Sequence, residues 1–386
     1  MPGVVIVGAS AAGLSAAEAL REAGCDRPIT LIGAEPHLPY DRPPLSKQVL
    51  LGQWDADRTV LRTCDQLAGL DLRLSTEAVA LDPDSREITL VDGEHIGYEH
   101  LIIATGAQPR RLPGDGLEGV HYLRTLDDAL ALRDRLTAES RLVAIGAGFV
   151  GSEIAAAARA IGAHVTLIGQ GPAPMSEVLG PVLGGLMART HADHGVTLLM
   201  RAEVAALLPE GTRVGGVVLT DGRTVPADLV VVGIGSVPSS GWLTGSGLPV
   251  DSGVLCDRYG SAGPGVSAAG DVAAWYQPVL GSQVRIEHRT SATQQARCVA
   301  HNLLGGRTEP GIPYFWTDQY GLRLQVWGYP TGDAAFAVVE GDLEDRRFLA
   351  VYGRAGRVIG VAGMGLPRQF REARALIGTP MLTKKG

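Results

Sequence analysis

Four cysteines in 386 residues, Cys25, Cys64, Cys256 and Cys298, lie far apart with no CxxC pair. Neither a redox disulfide nor a zinc or iron–sulfur site is therefore written locally, and no metal site is expected. Any electron carrier has to be a bound organic cofactor or a separate protein. An excess of positive charge is also missing: the net charge is −7, which argues against a nucleic-acid partner, since such chains gather Lys and Arg to meet phosphates. No apolar run approaches the ~20 residues that span a bilayer, and the apolar start lacks the basic flank and cleavage site of a signal peptide. The expected location is the cytoplasm, with no membrane partner. Lysine is the scarcest charge. Of 34 basic residues only Lys47, Lys384 and Lys385 are lysine, so a lone internal lysine in an arginine-biased chain invites a specific reason.

What is present is the composition of a soluble globular protein, 45% hydrophobic and 19% charged, long enough for two or three domains. Val4-Val5-Ile6-Val7 is a short β-branched run of the kind found in buried parallel strands. It leads into Gly8-Ala9-Ser10-Ala11-Ala12-Gly13, an alanine-rich helix over 14–23 and a second strand, Ile29 to Ile32. The same grammar returns at Leu142 to Ile145, followed by Gly146-Ala147-Gly148-Phe149-Val150-Gly151, a helix to about Ile161 and a strand over 164–168. Two further apolar runs, Leu101 to Gly106 and Leu229 to Gly235, read as strands that return the chain to a cofactor in each nucleotide unit. From about Pro313 the pattern becomes aromatic-rich with period-two alternation, predicting antiparallel hairpins, and 367–377 has helical spacing.

A GxGxxG between a strand and a helix binds pyrophosphate because glycine permits the tight turn and close backbone approach, while the helix start offers free N–H groups. One such match is weak and two in one chain are much stronger. The first copy carries Ser10 at the middle position, where a hydroxyl can donate to a phosphate. In this fold the second strand normally ends in an acid for the adenosine ribose. Glu35 serves in the first unit. The second ends Ile168-Gly169-Gln170, with no acid and no neighbouring arginine, which leaves the preference between NADH and NADPH open.

Leu38-Pro39-Tyr40-Asp41-Arg42-Pro43-Pro44-Leu45-Ser46-Lys47 resembles the signature of the oxygenase-coupled ferredoxin reductases, within the glutathione reductase superfamily. The likeness continues through Tyr122 to Thr125, Gly270 to Ala273, Arg285 to Glu287 and Phe315 to Gln319, covering nearly the whole chain in order. It implies an α/β protein: two Rossmann-like nucleotide-binding domains of the glutathione reductase type plus a C-terminal α+β domain. The implied boundaries are 1–111 and 242–312 for FAD, 112–241 for NAD(P)H and 313–386 for the C-terminal domain. It also implies FAD held by Gly8, Ser10, Ala12, Gly13 and Glu35, with Arg42, Lys47, Ala78, Arg124 and Arg289 lining it and Asp271 at a helix start beside the ribityl and pyrophosphate region. Asp271 also reads as an ordinary helix N-cap. The dinucleotide would lie along Gly146, Gly148 and Gly151, with Gly235 nearby.

Lys47 matches the family lysine beside flavin N5, paired with the glutamate that ends the second fingerprint, here Glu153. A compact ammonium fits both partners where a planar guanidinium needs other geometry. Phe149 matches the aromatic that covers the flavin, and Trp316 the tryptophan near its other edge; core packing is the rival reading of both. The absence of cysteine near 38–47 excludes the dithiol route of disulfide reductases of this fold and the single-cysteine route of peroxidases. The implied reaction is hydride transfer from NADH or NADPH to FAD N5, then single electrons to a [2Fe–2S] ferredoxin or rubredoxin serving a cytochrome P450 or Rieske oxygenase. Alternatives are an NADH oxidase or diaphorase, and a flavin-bound interaction protein similar to apoptosis-inducing factor. The resemblance is compatible with a monomer or a homodimer. His191-Ala192-Asp193-His194 reads as a solvated helix end, and Arg368, Arg371 and Arg374 as a solvated helix face or, alternatively, a docking stripe for an acidic ferredoxin.

Overall fold

The computed structural model describes residues 3–278 and 280–381, so Lys384 and Lys385 lie outside the described residues. The chain divides into two compact units. The first comprises Met1–Arg42, Asp57–Gln108 and Ser236–Pro313, the second Pro43–Ala56, Pro109–Gly235 and Tyr314–Gly386.

In the first unit the strand Gly3–Val7 pairs in parallel with Ile29–Ile32 on one side and His95–Ile103 on the other. Parallel pairing extends to Asp71–Arg73 at one end and Val266–Ala268 at the other. A parallel sheet is covered on both faces, so its strands read as unbroken apolar runs. Val4, Ile6, Leu31, Leu101, Ile102 and Ile103 are accordingly inaccessible. The helix Ala11–Glu22 starts three residues before the expected Leu14 and packs along Arg289–Leu303, its alanines allowing close approach.

The second unit contains the same arrangement: Thr197–Met200, His164–Gly169, Arg141–Ile145, Leu229–Val232 and Val120–His121, in that order and all parallel. It also holds the antiparallel C-terminal sheet, in the order Tyr314–Gln319, Leu322–Gly328, Arg357–Met364, Arg347–Arg354, Ala335–Asp342. The expected one-sided alternation does not describe its central strands, which are buried at every position from Phe348 to Gly353 and from Val358 to Met364. Both faces are covered. Phe348, Ala350 and Tyr352 pack against Met175, Leu179, Leu183 and Met187 around the helix Ser176–Asp193, while Leu349, Val351 and Val361 pack against Leu366, Phe370 and Ala373. The helix Ser176–Asp193 is interrupted at Gly180, with φ of 76°, ahead of Pro181, and Tyr352 Oη donates to the Leu179 carbonyl beside the break at 2.8 Å.

The last helix, Pro367–Ala373, passes into a 3₁₀ turn over Arg374–Leu376 instead of continuing to Ile377. Its arginines are exposed, but Arg368 pairs with Glu372 at 3.0 Å and Arg374 lies over the Trp327 ring, 5.0 Å from its centroid. Among the described residues no helix is long and apolar enough to cross a membrane.

The segment around His191 is not a solvated helix end. His191 is fully buried, its Nδ1 lies 2.8 Å from Tyr320 Oη, and the His194 ring stacks on Tyr320 at 3.8 Å. The helix terminus packs against the turn after the strand Tyr314–Gln319, which its sequence position alone did not reveal. Burial lowers the pKa of His191 from 6.5 to about 4, so it is neutral in the folded protein near pH 7. His288 in the first unit is likewise lowered to about 4 by burial, against the opposing pull of Asp271. A base whose pKa falls on folding gives stability that is complete above pH 6.5 and lost as the pH drops towards 4, because the unfolded chain then binds the extra proton. The loss from His191 should be about 2 kcal/mol by pH 5. Thermal melts of wild type and His191→Gln between pH 7 and 5 should therefore show a shallower acid decline in the variant. Parallel curves would show that His191 is not buried neutral.

Candidate functional site

Each parallel sheet ends in a strand–turn–helix junction held by backbone contact. At the first, Gly8 has φ of +120° and an added Cβ would lie 2.1 Å from the Ala104 carbonyl oxygen. A Cβ on Gly13 would lie 1.9 Å from Gly8 O. The second repeats this, with Gly146 at φ +102°, 2.1 Å from Gly233 O, and Gly151, 1.9 Å from Gly146 O. These four glycines are required by the protein itself. Gly148 is different: nothing lies within 4 Å of a Cβ built there. A pyrophosphate approaching the helix start accounts for that glycine where no protein atom does. Neither Ala11–Glu22 nor Phe149–Ile161 has a side-chain cap or an acid in its first turn, so both present uncapped N–H groups to an anion. Ser10, at the middle position of the first fingerprint, makes no capping hydrogen bond with its hydroxyl, and Ala12 is buried beside it. Both junctions thus fit dinucleotide pyrophosphates.

Beyond the first junction the strand Ile29–Ile32 delivers Glu35. Arg42 Nη2 donates to Glu35 Oε1 at 2.5 Å, Tyr40 Oη donates to Oε2 at 2.5 Å, and Arg42 Nη1 donates to Tyr40 Oη at 2.9 Å. Each carboxylate oxygen keeps a lone pair for a further donor, as ribose hydroxyls require. Burial opposes the charge of Arg42, yet Tyr40, Glu35 and Asp271 outweigh it and raise its pKa. Ala78 begins a strand just past Ser75 and Thr76, whose N–H groups bond the carbonyls of Glu35 and Gly33.

Asp271 does not start a helix. It stands in a turn closed by Ala273 N donating to Gly270 O at 2.9 Å, ahead of the strand Ala273–Gln277. Gly270 explains its place: a Cβ there would lie 3.1 Å from Ala12 Cβ, and its N–H donates to Gln295 Oε1 at 2.8 Å, so Asp271 is set beside the fingerprint. Arg289 opens the neighbouring helix and pairs with Asp41. Glu35, Arg42, Asp271 and Arg289 therefore gather in one unit. His288, half-buried next to Arg289 and feeling the charge of Asp271, belongs with them and gave no signal in the sequence beyond its position.

In the second unit Lys47 and Glu153 meet as expected. Lys47 Nζ donates to Glu153 Oε2 at 2.6 Å and to Pro43 O at 3.1 Å, with Ser46 Oγ at 3.3 Å. All three ammonium hydrogens have acceptors, a geometry a guanidinium cannot copy. Glu153 also accepts from Ser46 Oγ at 2.6 Å and from Thr317 Oγ1 at 2.8 Å. Both ionic side chains are almost wholly buried, 11% and 7% exposed. Ser46 and Thr317 were missed as site residues, although each adjoins one that was read, Lys47 and Trp316. Phe149, at the first position of its helix, packs edge-to-face on Phe315 with centroids 5.4 Å apart. Trp316 donates Nε1 to Asp318 Oδ2 at 3.1 Å and stacks on Tyr314. Arg124 N donates to Asp128 Oδ2 at 3.0 Å, just before the capping box of the helix Leu126–Arg135, and Gly235 O accepts from Arg110 N at 3.0 Å. Among the described residues no three His, Cys, Asp or Glu side chains gather to hold a metal.

The family model for pyridine nucleotide-disulphide oxidoreductases matches residues 2–296, and that for the reductase C-terminal domain matches 314–382. The chain is 39% identical to rhodocoxin reductase of Rhodococcus erythropolis, over 98% of this chain and 90% of that one. It is 37% identical to a ferredoxin–NAD(P)(+) reductase of a Sphingomonas species, over 99% and 94%. Among solved structures it resembles the reductase of the covalent putidaredoxin reductase–putidaredoxin complex, with a TM-score of 0.93 at 33% identity, covering 98% of this chain and 93% of that one.

The Glu153 carboxylate is the shared acceptor of three donors, so its removal strands a buried ammonium. Glu153→Ala should destabilise the protein by about 3 kcal/mol or more in urea unfolding, whereas the double variant Lys47→Met/Glu153→Leu should recover most of that loss. Wild-type stability in Glu153→Ala would mean that Lys47 is hydrated rather than buried.

Proposed function

The chain belongs to the pyridine nucleotide-disulphide oxidoreductase family, and on that premise we propose that it is an FAD-dependent NAD(P)H:ferredoxin reductase of an oxygenase system. The observation that carries this reading is the buried Lys47–Glu153 pair in a segment that holds no cysteine. The chain has no thiol there to relay electrons, which leaves a separate acceptor for them. Relatives named as reductases of rhodocoxin, putidaredoxin and ferredoxin, similar over almost their full lengths, support the same acceptor class. We assign FAD to residues 1–111 and 242–312, the nicotinamide dinucleotide to 112–241, and the remainder to a C-terminal domain. Four free thiols, two of them fully buried, suit a cytoplasmic protein.

A bound FAD would supply the redox chemistry, accepting one hydride and giving up its two electrons singly with loss of the proton. The protein's part is to hold and polarise. Uncapped helix starts after Gly8 and Gly146 bind the two pyrophosphates, Glu35 accepts from ribose hydroxyls, and Arg42 and Tyr40 fix that carboxylate. Asp271 and Arg289, set beside the fingerprint and at a helix start, are proposed to bind the rest of the cofactor. Lys47 supplies a fixed positive charge to the reduced cofactor, and Glu153, Ser46 and Thr317 act as positioning residues for it. Phe149 and Trp316 are proposed as flavin-contacting residues.

Anaerobic mixing of the FAD-loaded protein with NADH or NADPH should bleach the visible flavin band, and steady turnover in air should need an added [2Fe–2S] ferredoxin. Lys47→Met should slow bleaching by about ten-fold or more, the scale of one lost charge contact. Rapid turnover on oxygen or quinone alone would mark an oxidase, and absence of bleaching by either dinucleotide would mark a flavin-bound interaction protein.

A further inference from the structure

The two nucleotide-binding halves repeat one set of backbone hydrogen bonds. In the first, Gly8 N donates to Ile32 O at 2.7 Å, Thr76 N to Gly33 O at 2.9 Å and Ser75 N to Glu35 O at 3.1 Å. In the second, Gly146 N donates to Ile168 O at 2.8 Å, Ala202 N to Gly169 O at 3.1 Å and Arg201 N to Gly171 O at 3.0 Å. Ser75 and Arg201 share the left-handed conformation, with φ of 52° and 55°. A Cβ on Gly33 would meet Ala9 Cβ at 2.7 Å, and one on Gly169 would meet Ala147 Cβ at 2.6 Å. This register equates Gly171 with Glu35, the ribose acid of the first half.

Glycine has no carboxylate to offer, but a neighbouring helix brings one to the same place. A Cβ built on Gly171 would lie 4.0 Å from Glu177 Oε1 and 3.2 Å from Ser176 Oγ, both in the first turn of Ser176–Asp193. The Ser176 hydroxyl is committed to the Ala173 carbonyl at 2.8 Å. The Glu177 carboxylate is exposed and makes no hydrogen bond or ion pair among the described residues. A second acid sits at the same strand end, where Gln170 Nε2 donates to Glu203 Oε1 at 3.1 Å. Arg201, on the same loop as Glu203, forms an ion pair with neither acid.

We propose that Glu177 takes the place of the missing acid at the end of the strand His164–Gly169, its carboxylate accepting from the adenosine ribose 2′-hydroxyl, so that the second site selects NADH over NADPH. The inference rests on the reductase reading above. A carboxylate gains a charge-assisted hydrogen bond from a ribose hydroxyl. A 2′-phosphate instead brings like charge against Glu177, with Glu203 adding to the same sign, and selectivity follows from that repulsion as much as from the attraction.

The test is calorimetric titration of the FAD-loaded protein with ADP-ribose and with its 2′-phosphate, beside anaerobic flavin reduction by NADH and NADPH. ADP-ribose should bind about ten-fold tighter than its 2′-phosphate, and Glu177→Gln should remove most of that difference by weakening ADP-ribose and tightening its 2′-phosphate. Glu177→Arg, at an exposed position where folding is not at stake, should reverse the order of the two ligands. Equal binding by the wild type, preference for the 2′-phosphate, or a Gln variant that still discriminates would each overturn the assignment. Flavin reduction at equal rates and affinities by both dinucleotides would sink the assignment and leave the reductase reading intact. Discrimination between the ADP-ribose ligands without flavin reduction by either dinucleotide would sink the reductase reading and support Glu177.

Discussion

The buried carboxylate of Glu153 is the point on which the second unit is organised. Three stretches far apart in sequence end on its two oxygens: Ser46 and Lys47, the helix that carries Glu153 itself, and Thr317 of the C-terminal sheet. A carboxylate taken out of water needs such saturation, because burying it costs several kcal/mol that only good geometry and full hydrogen bonding offset. The arrangement is therefore cooperative. Lys47 can be buried only because Glu153 is there, and Glu153 only because Ser46, Lys47 and Thr317 all donate. This also explains why the short stretch Pro43–Ala56 belongs to the second unit although the residues before and after it belong to the first. Its anchor is ionic as well as apolar, with Leu50 buried among Leu132, Leu142 and Ile154.

The same constraint explains the choice of lysine. An arginine-biased chain keeps one lysine among its described residues, at a position where three acceptors surround a single nitrogen. A guanidinium would spread its donors over a plane and leave some without partners in a dry site. Rigid placement of that charge matters for chemistry, since a preorganised ammonium needs no reorganisation when charge develops beside it. The bond that anchors the stretch Pro43–Ala56 is thus also the one that fixes the proposed electrostatic group.

Much of this was legible in the sequence because it is periodic or local. The parallel strands announce themselves as unbroken apolar runs, the fingerprints as glycine spacing, and Lys47 through the rarity of its type. What was not legible depends on tertiary packing. Asp271 was expected at a helix start because aspartate favours caps, yet the turn at Gly270 is set by the approach of Ala12 and Gln295 from other elements. His191 looked solvated from its place near a helix end, but Tyr320 covers it from another strand's turn. Period-two alternation in the C-terminal sheet was overridden in its central strands by helices on both faces. Ser46 and Thr317 carry no motif, and only the position of the Glu153 oxygens gives them a role.

The internal repeat separates what the fold demands from what the ligand demands. Positions where backbone meets backbone are the same in both halves: Gly8 and Gly146, Gly13 and Gly151, Gly33 and Gly169, with Ala9 and Ala147 against the last pair. Other positions of the repeat differ: Ser10 against Gly148, where no protein atom lies within 4 Å of an added Cβ, Glu35 against Gly171, and Ser75 against Arg201. The fingerprint's middle position and the strand end are among the positions that differ, and these are where two cofactors of different size and task are proposed to bind. A glycine that its own protein does not require is better explained by what approaches it, and the same logic assigns an unpaired carboxylate beside Gly171 to a ligand rather than to the fold.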